Sequence, residues 1–130
     1  MKNKIMKSLI IDAASEKIFF KIIDNNKTYT NDFENSRKNF DKFAILLFNF
    51  LNKKMISFKN IDKVFVNLGP GKYSSIRTSI STLKALNLIY KFKLYGFSSK
   101  EVEKYDYSKV LESLKKGKLI KKLIKPLYMS

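Results

Sequence analysis

The 130-residue sequence contains no cysteine, no histidine and no tryptophan, and only four glycines and two prolines. Without cysteine there is no disulfide framework and no thiolate metal site. Without histidine the commonest general base and the commonest metal ligand are missing, so any catalysis would rest on carboxylates, lysines, tyrosines or hydroxyls. No run of eighteen uncharged residues is present to cross a bilayer. The apolar stretch near the N-terminus, Leu9-Ile10-Ile11, ends at Asp12 and is too short for a signal-peptide core. These absences set the expectation of one cytoplasmic domain, away from membranes, with no metal and no cofactor.

Charge of one sign dominates what is present. The formal net charge is +16, yet of 27 basic residues only Arg37 and Arg77 are arginine. Sequence-blind attraction to phosphates needs only positive charge, whereas base and phosphate recognition favours the bidentate guanidinium. The lysines accompany a general excess of asparagine, isoleucine and phenylalanine, so a compositionally biased, solvated surface stands beside an electrostatic role in meeting RNA or an acidic partner.

Hydrophobic patterning predicts an α/β order. Strands are expected over Lys7 to Ile11, Lys17 to Ile23 and Thr28 to Phe33, the last two joined through Asp24-Asn25-Asn26-Lys27, where asparagine tolerates positive φ. A helix capped by Asn35 or Ser36 is predicted to run to about Lys54. At ~100° per residue, Leu46, Phe50, Phe43, Leu47, Phe40, Leu51, Ala44 and Phe48 cover an arc of about 200°, wider than one core contact needs. Either the helix lies in a deep groove of its own domain or one flank meets another chain. Ile61 to Leu68 reads as a central strand covered on both faces. A helix from Ser74 to about Tyr90 and a strand over Leu94 to Phe97 complete a β-α-β unit. Ile76, Ile80, Leu83, Leu86 and Tyr90 form that helix's core stripe. Thr78, Ser81, Thr82, Ala85 and Ile89 form an adjoining face of mostly small side chains, which lets another helix come close.

Glycine and proline gather at Gly69-Pro70-Gly71. Gly71-Lys72 suggests a phosphate-binding loop, but the pattern is not met, because the required first glycine is Val66 and the residue after Lys72 is Tyr73. Gly69 and Gly71 instead suit backbone angles or close approaches closed to other residues, with Ser74 as a helix cap. Asp12, at the end of the first strand, is either a functional carboxylate or a turn-stabilising one. Arg77 could pair with an acid within the fold or across an interface. Lys115, Lys116, Lys118, Lys121, Lys122 and Lys125, among Leu119, Ile120, Leu123 and Ile124, form either a solvated amphipathic helix or a surface for phosphates.

Taken in order, the strand ending at Asp12, the hairpin, the helix opened by Asn35-Ser36, Gly69-Pro70-Gly71-Lys72-Tyr73-Ser74-Ser75-Ile76-Arg77 and Tyr95-Gly96-Phe97-Ser98-Ser99-Lys100-Glu101 resemble the bacterial TsaB family, formerly YeaZ, over residues 7 to 103. The closing Pro126-Leu127-Tyr128-Met129 is similar to that family's ending. Departures are Asn35 for the family histidine, Ser74-Ser75 for Thr-Gly, and Ser79 for a later helix glycine. The resemblance implies a single first lobe of the actin-like ATPase/sugar-kinase (ribonuclease H-like) fold, a mixed five-stranded sheet with helices over residues 1–105. Residues 106–130 would be a lysine-rich segment replacing most of the second lobe.

It further implies a non-catalytic subunit in making threonylcarbamoyladenosine on tRNA. The chain would bind a TsaD-type transferase, with a TsaE-type ATPase completing the assembly and tRNA met through the complex. A homodimer is the alternative when the partner is absent. The partner surface would be formed by Phe40, Phe43, Ala44, Leu47, Phe48, Leu51, Thr78, Ser81, Thr82, Ala85 and Ile89. The glycine loop Gly69, Pro70, Gly71, Ser74 and Arg77 would be structural. A lysine-rich RNA-binding module and a protease- or ATPase-like enzyme remain the other classes.

Overall fold

The computed structural model describes residues 7–117. Lys118, Lys121, Lys122, Lys125 and the Pro126 to Met129 ending lie outside the described residues. Five strands, β1 (Lys7–Asp12), β2 (Lys17–Asp24), β3 (Lys27–Glu34), β4 (Ile61–Asn67) and β5 (Lys93–Phe97), form one sheet in the order β3-β2-β1-β4-β5. β1, β2 and β3 make an antiparallel meander, whereas β4 is parallel to β1 and β5 to β4. Asn25 takes the left-handed conformation in the β2–β3 turn, with φ 56°, as the turn chemistry requires. The parallel β4-helix-β5 unit is the predicted crossover.

Alternation along the strands sends side chains to two different layers. Leu9, Ile11, Ile18, Phe20, Ile22, Val64 and Val66 point to one face, where they are packed under α2 (Phe43–Lys53) and α3 (Tyr73–Tyr90). Ile10, Phe65, Tyr95 and Phe97 point to the other, which is covered by Tyr107 and Val110 with Leu111 and Leu114, the last three on α4 (Ser108–Lys115). The segment beyond residue 105 therefore belongs to the same packed body, at least as far as Leu114.

The expected single helix from residue 36 to 54 is two pieces. Ser36 caps α1 (Arg37–Phe40), its hydroxyl accepting from the Asn39 N–H. The chain then turns at Asp41-Lys42 before α2. The Lys42 N–H goes to the Asn39 carbonyl, a three-residue bond that closes the first piece, and Asn39 Nδ2 is tied back to the Glu34 carbonyl at 2.8 Å. The wide apolar arc meets two neighbours within the domain: Phe43, Leu47, Phe50 and Leu51 are buried against the sheet, while half-buried Phe48 meets Phe58 edge-on at 5.3 Å. Phe58 in turn stacks on Tyr90 at the end of α3.

Candidate partner-docking face

The ends of β1, β4 and β5 converge where the sheet changes from antiparallel to parallel, the place where α/β sheets leave a crevice. A connected set of polar side chains borders it, with Asp12, Ser15, Asn67 and Ser99 among the residues lining a cavity of about 250 Å³. Asp12 Oδ1 accepts from the Ala14 N–H at 3.1 Å and from Asn67 Nδ2 at 2.9 Å, and Asp12 Oδ2 accepts from the Tyr107 hydroxyl at 2.8 Å. Asn67 Oδ1 accepts from the Gly69 N–H at 2.7 Å and the Ser99 hydroxyl at 3.1 Å. Burial raises the Asp12 pKa, and the bonds from Ala14, Tyr107 and Asn67 oppose the shift. Burial and the adjacent carboxylate push the Tyr107 phenol far above its ordinary value, so it stays a donor. The bond that Asp12 accepts from the Ala14 N–H ties down the turn that follows β1.

The glycine loop leads from this network into α3. Gly69 has φ 100°, a conformation closed to most L-residues. Gly71 is needed for close approach: a Cβ there would run into the Ala14 carbonyl oxygen, which the Lys72 N–H meets at 2.8 Å. Ser74 is not the cap. α3 begins at Tyr73 with Lys72 preceding it and no side-chain cap; Ser74 is exposed and its carbonyl accepts from the Thr78 hydroxyl. Ser75 is the anchored serine, buried and donating to the Ala13 carbonyl at 2.7 Å. Asn35 Nδ2 reaches the Ala13 carbonyl, the Ser15 carbonyl and the Ser75 hydroxyl at 3.0, 2.8 and 3.0 Å. Thus α3 is clamped to β1 at its first turn.

Beyond the clamp, α3 buries Ile76, Ser79, Ile80 and Leu83 and leaves its opposite side open. Thr78, Ser81, Thr82 and Ala85 lie on the open side, with Ser74, Arg77, Thr78, Ser81 and Thr82 lining a shallow groove. Leu88 and Ile89 follow, 81% and 70% exposed, and on α2 Ile45 is 60% exposed. Ala44 is also exposed, and Phe40 and Phe48 are half-buried. Phe43, Leu47 and Leu51, expected at the partner surface, are buried. They are core residues and not part of an exposed partner surface, because their flank of α2 is the one pressed against the sheet. Arg77 lies over the Tyr73 ring at 5.1 Å, and among the described residues no acid pairs with it.

Asn67, Ser75 and Tyr107 join the site although the sequence pattern does not mark them as site residues. Asn67 had a signal, a polar residue closing the apolar run Val64-Phe65-Val66. Tyr107 had none, since its partner Asp12 is 95 residues away.

A three-stranded meander continued by parallel strands, with helices on both faces, defines the chain as an α/β protein of the ribonuclease H-like fold shared by actin-like ATPases. YeaZ from Pseudomonas aeruginosa is similar in structure, with a TM-score of 0.65 at 14% identity over 72% of this chain and 44% of that one. An uncharacterized protein from the same organism, described as having similarity to peptidase YeaZ, gives the same score and identity over 43% of its length. T. thermophilus RuvC, in complex with a Holliday junction substrate, has a TM-score of 0.50 at 8% identity, covering 74% of this chain and 66% of RuvC. This chain spans less than half the length of the two Pseudomonas proteins. No protein-family profile and no curated protein matches the sequence. At these identities the likeness is one of fold. No helix among the described residues is long and apolar enough to cross a membrane.

Proposed function

We propose that this chain is a non-catalytic subunit that binds and supports a TsaD-type threonylcarbamoyl transferase in the modification of tRNA. The observation that carries the reading is the outward side of α3, where a small-residue surface runs into the exposed Leu88 and Ile89. Small side chains admit a second helix at close range, and a large exposed apolar pair is costly unless covered. The YeaZ-like fold supports the same reading.

The state of Asp12 supports a role without turnover. It is the only buried carboxylate among the described residues, both of its oxygens already accept bonds, and no cluster of metal-ligating side chains accompanies it among those residues. ATP or peptide hydrolysis by the isolated chain, abolished in Asp12→Asn, would overturn this part of the proposal.

Co-purification with the TsaD-type subunit of the same organism, followed by mass measurement in solution, tests the subunit reading. A stable heteromer is expected. Ala85→Arg should weaken it by on the order of 2 kcal/mol, about thirtyfold in Kd, if Ala85 sits at the centre of the contact. Its circular dichroism should match the parent, because Ala85 is exposed. A lone chain that ignores TsaD would leave only the shared fold. Leu47→Asp is the contrasting variant: Leu47 is buried, so its loss of binding would come with loss of folding.

A further inference from the structure

Charge on the docking face runs one way. Neither α2 nor α3 contains an aspartate or glutamate. From Lys42 to Lys91 the sequence holds eight lysines and one arginine against a single carboxylate, Asp62, while the other ten acids lie outside that stretch. Asp62 is held by its neighbour Lys63 at 3.3 Å, both side chains largely covered. Among the described residues no carboxylate pairs with Arg77 or Lys84. A compositional bias toward lysine would not by itself remove acids from these two helices, since β3 carries Asp32 and Glu34 and the segment after β5 carries Glu101, Glu103, Asp106 and Glu112.

The charge also has a position. Residues seven apart on a helix lie almost in line, drifting only ~20°. Arg77 and Lys84 form one such row, continued by Lys91 just past the helix end. Beside it run Ser81 with Leu88, Thr78 with Ala85, and Thr82 with Ile89. The face is therefore a small-to-apolar strip with a basic margin.

We infer that this face takes a protein partner that sets carboxylates against the Arg77–Lys84 row, and that it rejects a second copy of this chain. The inference rests on the docking reading above and names the chemistry of the partner's surface. A two-fold dimer through this face would bring the same surface of both copies together. Basic margins would then share one interface with no acid on either helix to separate them, and like-charge juxtaposition is costly. An acidic partner reverses the sign and gains electrostatic steering. A nucleic acid also carries negative charge and could accept from the Thr78, Ser81 and Thr82 hydroxyls, but the strip ends in exposed apolar Leu88 and Ile89, which phosphates would not cover, and the face has one arginine.

The test is calorimetric titration of the full chain with the TsaD-type subunit at about 50 and about 500 mM salt, where the screening length falls from above 10 Å to a few ångströms. Binding should weaken at least about tenfold across that range. Arg77→Glu combined with Lys84→Glu should weaken it about as much at low salt, whereas Lys109→Glu on α4 should leave it unchanged. Binding indifferent to salt and to the double reversal overturns the inference and leaves the docking reading standing. No binding at either salt overturns the docking reading. The mass of the chain alone at low salt decides the second half: a monomer is expected, and a dimer broken by Ala85→Arg overturns the inference whether or not TsaD binds. Binding of tRNA alone that disappears in the double reversal overturns it in favour of a nucleic-acid surface.

Discussion

Alanine in place of Asp12 is expected to lower the unfolding free energy by about 3 kcal/mol, because three donors lose their acceptor at once and a buried unsatisfied donor costs roughly 1–3 kcal/mol. The Ala14 N–H, Asn67 Nδ2 and the Tyr107 hydroxyl all converge on this carboxylate, and water entering from the adjoining crevice would recover part of the loss. Asparagine is the informative control. Its oxygen can keep the bonds from Ala14 and Asn67, and its amide can donate to the Tyr107 oxygen, so Asp12→Asn should be close to neutral at pH 7.

The two variants also separate by pH. Burial holds the folded-state pKa of Asp12 above its ordinary value. The unfolded chain then releases this proton first as pH rises. Stability from this group is therefore full below about pH 3.9, the ordinary aspartate value, falls as pH rises toward the raised folded value, and is flat above it. Asp12→Asn should lose that falling segment. Urea unfolding of the three proteins followed by circular dichroism from acid to neutral pH measures both effects; an Asp12→Ala midpoint equal to the parent's would mean that the convergence contributes nothing.

Gly71→Val should be at least as damaging, by about 3 kcal/mol or more, the upper range for forcing extra atoms into a packed site. The obstacle is the Ala14 carbonyl, a backbone atom that cannot rotate away, and moving it would also stretch the Lys72-to-Ala14 hydrogen bond and the Ser75 and Asn35 contacts to Ala13. Because that clamp aims α3, the docking proposal expects a variant that still folds to bind the TsaD-type subunit less tightly, although Gly71 is not on the proposed strip. A Gly71→Val protein with parental thermal midpoint and parental affinity would show that α3 is positioned some other way.

Much of this architecture was legible because it follows from local rules. Alternation in Lys17 to Asp24, asparagine at the hairpin turn and the apolar run Val64-Phe65-Val66 each identify a strand without knowledge of the partner strand. The Gly69-Pro70-Gly71 junction announced a constrained strand-to-helix passage, and Asp12 a turn. The failures share a cause. A helical wheel counts apolar residues but cannot say which of two neighbours covers them, so Phe43, Leu47 and Leu51 read as partner-facing although the sheet already buries them. The break at Asp41-Lys42 depends on Asn39 reaching the Glu34 carbonyl, and the choice of Ser75 over Ser74 depends on where Ala13 lies. Both are tertiary facts.

The two faces of the sheet are assembled from parts of the chain with very different separations. The face under α2 and α3 is built entirely from residues 9 to 94. The opposite face has Ile10, Phe65 and Phe97 in place but waits for Tyr107 and Val110. Closing it joins Asp12 to a residue 95 positions later, the kind of distant pairing whose loop entropy is met late in folding. During synthesis the sheet can therefore stand complete on one side with an apolar surface still bare on the other, and α4 is the latch that ends this exposure.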